Sequence, residues 1–351
     1  MGIDSLRARA SFDDPWVVAR WSLAVGYMCV LITVIAVRGM PLDRLGLTVW
    51  LLLGLSITCV GRGWRSWRQM LIDWLPFEAI MLAYDFTYGV AGSDYVNHAI
   101  EGQRNVIGAP LHVQWPIRAD EAIFGGVLPS QWIQQHLGHT TGNFLFFHFG
   151  DRAPWFSALT SLTYFSHFVV TPIIAAILWA TNRKRFRVYA NMVIALAAAG
   201  IVTYFMYPMA PPWLASAEGY VPGSPIERIS VQGWQAMGLK FAAQMLETGQ
   251  ATSNPVGAMP SLHMAFTVLA VGFFWAGKRW YWRVLMACYP LMMAFSLLYS
   301  GEHYVTDELV GVLYASVILA VWQVLRRRRI AAALAETPAQ QVREEPLAAT
   351  I

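Results

Sequence analysis

Apolar stretches of membrane-spanning length alternate with polar and basic segments along most of the chain. A helix needs about 20 residues to cross the hydrocarbon core of a bilayer. The third stretch contains Asp73, Glu78 and Asp85 and is therefore predicted to be a broken or interfacial helix. The pattern predicts an all-α polytopic membrane protein, a helical bundle of about eight transmembrane spans at residues 16–37, 46–61, 70–91, 156–181, 187–208, 260–276, 280–299 and 304–325.

The overall composition favours a membrane protein over a soluble one. Hydrophobic residues occupy 56% of the 351 positions, charged residues occupy only 13%, and the mean hydropathy is +0.43. Soluble domains usually carry about 25% charged residues. The composition therefore excludes an ordinary soluble domain. The expected partner is the membrane, and no nucleic acid is expected to bind.

Basic residues are distributed unevenly between alternate loops. If both termini are cytoplasmic, most of the 25 Lys and Arg residues fall on the inner side, in agreement with the positive-inside rule. Two long loops, 92–155 and 209–259, then lie outside, and the stretch "LPSQWIQQHL" in the first is predicted to be an interfacial helix. We expect an integral protein of a bacterial plasma membrane with both termini cytoplasmic.

The stretch "GAMPSLHMAF" places His263 one turn into the predicted span 260–276. Pro260 suits the first turn of a helix, because the N–H group that proline lacks would have no partner there. The free N–H groups of a first turn can bind an anion, and a nearby imidazole can exchange a proton with it. His263, with Pro260 and Ser261 before it, is therefore a candidate site residue.

A second polar cluster, "YSGEHYVTDELVG", begins the last predicted span. His303 and Asp307 are four residues apart and therefore share one helix face. A carboxylate can hold the proton on one imidazole nitrogen and leave the lone pair of the other available as a base or nucleophile. The topology places both histidines at the outer surface, and ionisable residues within membrane spans indicate function. The residues alone leave open which histidine attacks.

The motifs "PSLH" and "HYVTD", about forty residues apart, resemble the type 2 phosphatidic acid phosphatase superfamily. The stretches "YPMAPPWLA" and "YFSHF" are similar to the branch that contains inositol phosphorylceramide synthase. The resemblance covers residues 160–325 and implies a six-helix phosphatase-like core. It implies that His303 is the nucleophile that forms a phosphohistidine, that Asp307 orients it, and that His263 is the general acid and then the general base. Pro260, Ser261, Tyr164, His167 and Trp213 would line the substrate site.

Two parts of the superfamily pattern are missing from this chain. The first motif, K-x6-R-P, is absent, and Leu297 stands where the third motif has an arginine six residues before the histidine. Phosphoryl transfer depends on electrostatic stabilisation of the transferring oxygens. A cation from the outer loops is therefore expected to replace the missing pair, and the sequence does not choose among Arg104, Arg118, Arg152, Arg228 and Lys240. Of these, Arg104, Arg118 and Lys240 are included among the candidate substrate-binding residues.

The leading functional hypothesis is a lipid phosphotransferase that needs neither a metal nor a cofactor. It would move a phospho-headgroup such as inositol phosphate from a phospholipid to a lipid or glycolipid acceptor at the extracytoplasmic face. A phosphatase acting on phosphatidic acid or polyprenyl phosphate is the first alternative, and a proton-coupled transporter is the second. A magnesium-dependent headgroup transferase would need facing carboxylates, and Asp73, Glu78 and Asp85 lack that spacing.

The chain is predicted to have three parts. Residues 1–69 form an N-terminal cytoplasmic segment with two accessory spans, and residues 70–329 form the catalytic membrane domain. Residues 330–351 are rich in Ala, Glu and Gln and are predicted to form a disordered cytoplasmic tail.

Overall fold

The computed structural model describes residues 14–38, 44–87, 100–138, 143–144, 147–148, 153–251 and 253–336. These residues form helices and one hairpin of two-residue strands, β1 (Asn143–Phe144) and β2 (Phe147–His148). The helices are α1 (Pro15–Arg38), α2 (Arg44–Ile57), α3 (Trp64–Thr87), α4 (Gln114–Ile123), α5 (Pro129–Leu137), α6 (Ser157–Thr181), α7 (Arg183–Met206), α8 (Pro212–Ala217), α9 (Gln232–Ala236), α10 (Lys240–Ala251), α11 (Leu262–Trp275), α12 (Trp280–Tyr299) and α13 (Val305–Glu336).

A helix occupies the position of each predicted span. Within the described residues, α1, α6, α7, α12 and α13 each contain a stretch long and apolar enough to cross a membrane. The helices α2 and α11 are apolar but shorter, and α3 contains several charged residues. The prediction of an all-α polytopic membrane protein is confirmed.

Six helices pack together as the centre of the bundle. The helix α11 contacts α6, α7, α12 and α13, and α3 packs along α7. Trp74, Phe186, Tyr189 and Leu196 are fully buried in the cluster between α3 and α7. The helix α1 packs against α2, which packs in turn against α3. This arrangement matches the expected six-helix core with two further helices beside it.

The third helix is continuous, although its acidic residues predicted an interruption. Asp73 is buried and forms ion pairs with Arg183 and Arg187 at the start of α7. Glu78, also buried, accepts a hydrogen bond from Thr48 Oγ1 at 2.8 Å. A buried polar group is tolerated when it has a partner, so these carboxyl groups do not break the helix. The side chain of Asp85 lies outside the described residues.

Segments from the two long loops cover one end of the bundle. They meet through backbone hydrogen bonds, in which the N–H of His112 donates to the Pro208 carbonyl oxygen and the N–H of Ala210 donates to the His112 carbonyl oxygen, each at 3.0 Å. The predicted interfacial helix is α5, and its exposed Trp132 suits that position. Gln134 of α5 also donates to the backbone oxygens of both Glu227 and Tyr299. The helix α5 therefore ties the two loops to the end of α12.

The last helix continues past the end of its predicted span. The helix α13 extends to Glu336, so residues 330–336 are helical where the sequence predicted a disordered tail. Alanine, leucine, arginine and glutamate are strong helix formers, and they extend the helix beyond its apolar part. Residues 337–351 lie outside the described residues.

Candidate active site

The first turns of α11 and α13 lie side by side at the covered end of the bundle. The backbone N–H of Ser261 donates to the carbonyl oxygen of Asp307 at 3.1 Å. Ser261 also caps α11, since its Oγ accepts a hydrogen bond from the N–H of Met264 at 3.3 Å. A Cβ added to Gly311 would lie 2.4 Å from the carbonyl oxygen of Ser261. A glycine at this position therefore permits the close approach of the two helices.

This approach brings both histidines and Asp307 into one chain of contacts. His303 Nδ1 lies 3.1 Å from Asp307 Oδ1, and His303 Nε2 lies 3.4 Å from His263 Nδ1. His303 is 5% exposed and Asp307 is fully buried. With the Nδ1 proton shared with Asp307, the Nε2 lone pair of His303 faces His263. The arrangement can deliver a nucleophile at His303 and move a proton at His263.

A carboxylate from the first outer loop holds the start of α13. Asp120, on α4, is fully buried and accepts hydrogen bonds from the backbone N–H groups of Val305 and Thr306, each at 2.9 Å. The Thr306 hydroxyl also donates to this carboxylate. Burial raises the pKa of Asp120 above its usual range, and the hydrogen bonds from α13 oppose that rise. Asp120 thus acts as a helix cap supplied by another element, and it fixes the turn that presents His303.

Aromatic side chains of α6 form a wall beside His263. The Tyr164 ring stacks on the His263 ring with centroids 4.9 Å apart, and the His167 ring lies 4.1 Å from it. Phe168 meets His263 edge-on at 6.0 Å. The resemblance placed Tyr164 and His167 near the site, and the structure brings both into contact with His263.

Arg228 and Glu302 form an ion pair next to these rings. Glu302, the residue before His303, accepts hydrogen bonds from Arg228 Nε at 2.8 Å and from an Arg228 Nη at 3.1 Å. Gln250 Nε2 donates to the same carboxylate at 2.9 Å and to the Tyr164 hydroxyl at 3.2 Å. The Arg228 guanidinium also lies 4.8 Å from the centre of the Trp213 ring.

The other residues proposed for substrate binding occupy varied positions. The carbonyl oxygen of Pro260 accepts a hydrogen bond from the Tyr204 hydroxyl at 3.0 Å. Trp213 is linked to the start of the His303 segment, because its backbone N–H donates to the Gly301 carbonyl oxygen at 3.0 Å. Arg104, Arg118 and Lys240 are exposed. Arg104 donates to the carbonyl oxygen of Gly108, and Arg118 donates to the side chain of Gln114. Arg152 lies outside the described residues.

Three residues of this neighbourhood were not singled out from the sequence. Asp120, Gln250 and Glu302 are polar residues without a recognisable spacing relative to the histidine motifs. Glu302 carries the one usable signal, because it is a carboxylate directly before His303 at the edge of a predicted span. The roles of the other two depend on how the loops fold over the bundle.

The histidines of the first long loop take no part in these contacts where the structure describes them. His112 stacks on Tyr207 and His136 stacks on Trp132. Within the described part of the chain, no three His, Cys, Asp or Glu side chains are grouped so as to hold a metal ion. Metal-independent chemistry stays a prediction.

Comparison with known proteins identifies the family to which this geometry belongs. The family described as the PAP2 superfamily matches residues 135–321, more than half of the chain and a range that includes both histidines and Asp307. A phosphoinositol dihydroceramide synthase from Bacteroides thetaiotaomicron is 30% identical over 138 residues. That similarity covers 37% of this chain and 43% of the relative, and no solved structure matches. The chain is a member of the PAP2 superfamily of membrane phosphatases and phosphotransferases, as the paired histidine motifs predicted.

Proposed function

We propose that this protein is a lipid phosphotransferase that moves a phospho-headgroup through a covalent intermediate on His303. The observation that carries the proposal is the buried series of contacts from Asp307 through His303 to His263. It supplies a nucleophile, a group that orients the nucleophile, and a proton carrier within reach of one another. Membership of an enzyme superfamily favours this function over a proton-coupled transporter.

The first half of the reaction forms a phosphorus–nitrogen bond. The Nε2 lone pair of His303 attacks the phosphorus of the donor, and the bond from phosphorus to the diacylglycerol oxygen breaks. His263 gives a proton to that oxygen as it leaves. Asp307 holds the Nδ1 proton and stabilises the positive charge that develops on His303.

The second half returns the enzyme to its starting state. An acceptor alcohol gives its proton to His263, which is now neutral, and its oxygen attacks the phosphorus. The phosphorus–nitrogen bond breaks and restores the lone pair of His303. His263 moves every proton in the scheme, and we propose that the reaction needs no metal.

The acceptor distinguishes a transferase from a phosphatase. The relative from Bacteroides thetaiotaomicron is named for the transfer of phosphoinositol to dihydroceramide, which favours an inositol phosphate donor and a lipid or glycolipid acceptor here. The matched part is less than half of that relative, so these substrates are proposals. A phosphatase acting on phosphatidic acid or polyprenyl phosphate would share the first half of the reaction and use water in the second.

The distribution of charge supports an extracytoplasmic site. The end of the bundle opposite the histidines carries Arg183, Arg185 and Arg187 at the start of α7, and Lys278 and Arg279 before α12. Basic loops remain in the cytoplasm by the positive-inside rule. We therefore place the histidines at the outer face of a bacterial plasma membrane, with both termini cytoplasmic.

A labelled donor tests this function directly. Purified full-length protein is incubated in excess EDTA with phosphatidylinositol labelled in its headgroup, with and without dihydroceramide or a glycolipid alcohol. We expect a labelled lipid product only when the acceptor is present. Release of free inositol phosphate without an acceptor would favour the phosphatase, and activity that is lost in EDTA and restored by magnesium would contradict metal-independent chemistry.

Gly311→Ala is expected to lower kcat/KM by about 100-fold, because small displacements of reacting groups have effects of this size. Its new methyl group would push Ser261 and α11 away from α13 and separate the two histidines. The matched control is Gly26→Ala in α1, where a Cβ meets nothing within 4 Å. Wild-type activity in Gly311→Ala would show that this helix contact does not position the site.

A further inference from the structure

The proposed reaction requires positive charge near the phosphorus. The transferring group spreads negative charge over its oxygens, and its stabilisation depends on cations and hydrogen-bond donors that are already in place. In this chain, the position that would hold an arginine on α12 is occupied by Leu297, which is fully buried. The structure therefore leaves that task to a residue from another element.

Among the five outer-loop cations, Arg228 is the one whose described contacts lie beside His263 and His303. Its ion-pair partner Glu302 is adjacent to His303 in the chain. Gln250 donates to Glu302 and also to the hydroxyl of Tyr164, whose ring stacks on His263. The Arg228–Glu302 pair is thus connected to the surroundings of both histidines.

The surroundings of Arg228 fix its orientation. Glu302 accepts two parallel hydrogen bonds from one edge of the guanidinium, a geometry that is strong and directional. Gln250 holds the carboxylate from the other side, and it also donates to Ser230 Oγ at 2.7 Å. The Trp213 ring lies against the guanidinium. An orientation set before substrate binds is what electrostatic stabilisation of a transition state needs.

The contacts of Arg228 do not use its full hydrogen-bonding capacity. An arginine has more N–H donors than the two bonds to Glu302 require. Its side chain is 26% exposed, whereas that of Glu302 is 7% exposed. Part of the Arg228 side chain is therefore accessible to a ligand, while its partner Glu302 is enclosed. Phosphate oxygens match the spacing of its remaining donors.

We propose that Arg228 binds the phosphate oxygens of the substrate during transfer, and that Glu302 and Gln250 are positioning residues that hold the guanidinium in place. This inference rests on the proposed function, because it assigns a role in the same phosphate chemistry. The ligand class is a phosphate monoester or diester, and inorganic phosphate is its simplest representative.

A structural ion pair is the alternative role, and a double substitution distinguishes the two. Arg228→Gln leaves Glu302 as a buried carboxylate without its cation, which can destabilise the fold. The double variant Arg228→Gln with Glu302→Gln removes both charges and keeps hydrogen-bonding side chains at both positions. If the pair is only structural, this double variant regains wild-type behaviour. If Arg228 binds phosphate, the double variant folds but stays defective.

The experiment measures two quantities on the purified full-length protein. The first is the affinity for inorganic phosphate, from calorimetric titration, and the second is kcat/KM with labelled phosphatidylinositol. We expect the double variant to bind phosphate at least about tenfold more weakly and to lose about 100-fold or more in kcat/KM. Arg228→Lys should recover part of both, because it restores the charge without the fork of donors. Glu302→Gln should retain phosphate binding.

Arg187→Gln is the control variant for the phosphate-binding measurement. Arg187→Gln removes an arginine that pairs with buried Asp73 at the opposite end of the bundle, and it should bind phosphate like the wild type. Wild-type phosphate affinity and kcat/KM in the double variant would overturn the inference while leaving the proposed function intact. If the wild type binds phosphate through Arg228 but transfers no headgroup, the proposed function fails and the phosphate site stands. A wild type that binds no phosphate overturns the inference.

Discussion

His303→Gln is expected to lower turnover of the phospholipid donor by about 10⁴-fold or more, the size of effect seen when a covalent nucleophile is removed. Glutamine has no basic ring nitrogen, so no phosphorus–nitrogen bond can form. In the proposed mechanism Asp307, which lies 3.1 Å from Nδ1, orients the nucleophile and leaves Nε2 facing His263. The measurement is the initial rate of labelled product formation in the presence of acceptor.

The matched control for this substitution is His136→Gln. His136 is an exposed histidine of α5 that stacks on Trp132, so its replacement should leave turnover unchanged. Folding of both variants is checked by size-exclusion chromatography and thermal unfolding. A folded His303→Gln protein with wild-type turnover would contradict the nucleophile assignment.

His263→Gln is expected to have the second largest effect, a loss of about 10²- to 10⁴-fold with the lipid donor, as is typical for a general acid or base. Without a proton from His263, the diacylglycerol oxygen leaves as an alkoxide. A donor with an acidic leaving group, such as a p-nitrophenyl phosphodiester of inositol, needs no proton at this step. The deficit in formation of the covalent intermediate should therefore shrink strongly with the nitrophenyl donor.

Rapid-quench measurement of the first turnover isolates the step that His263 assists. The ratio of wild-type to variant rates is compared between the lipid donor and the nitrophenyl donor. A ratio that is the same for both donors would mean that His263 does not protonate the leaving group. His112→Gln provides a control, since that ring stacks on Tyr207 away from the paired histidines.

The membrane helices could be predicted because the hydrocarbon core imposes a length and an apolar composition on each span. The same criterion was wrong about two helices. These are α3, whose acidic residues have partners, and α13, whose C-terminal residues have high helix propensity. Asp73 and Glu78 predicted a broken or interfacial helix, yet partners on α7 and α2 satisfy both carboxyl groups of a continuous α3. The C-terminal end of α13 was predicted too early, because hydropathy identifies only the apolar part of a helix. It gives no information about polar helical residues that follow the span.

The meeting of His263 and His303 was also accessible from the sequence. Both motifs stand at the first turn of a span, and the intervening helix returns the chain to the same side of the membrane. The remaining contacts depend on the folding of long loops. Glu302 and Arg228 are 74 residues apart, and Asp120 reaches Thr306 across 186 residues. Hydrophobic periodicity carries no information about pairs of this kind, so the sequence did not single out Arg228 among the five outer-loop cations.

The most direct test of the phosphohistidine mechanism is to trap the intermediate. The purified protein is mixed with phosphatidylinositol radiolabelled at phosphorus, quenched in alkali during the first turnover, and analysed by peptide mass spectrometry. We predict an acid-labile, alkali-stable inositol phosphate adduct on the peptide that contains His303, absent from His303→Gln and chased by the acceptor. Full turnover without any labelled protein, or a label on a residue other than His303, would contradict the mechanism.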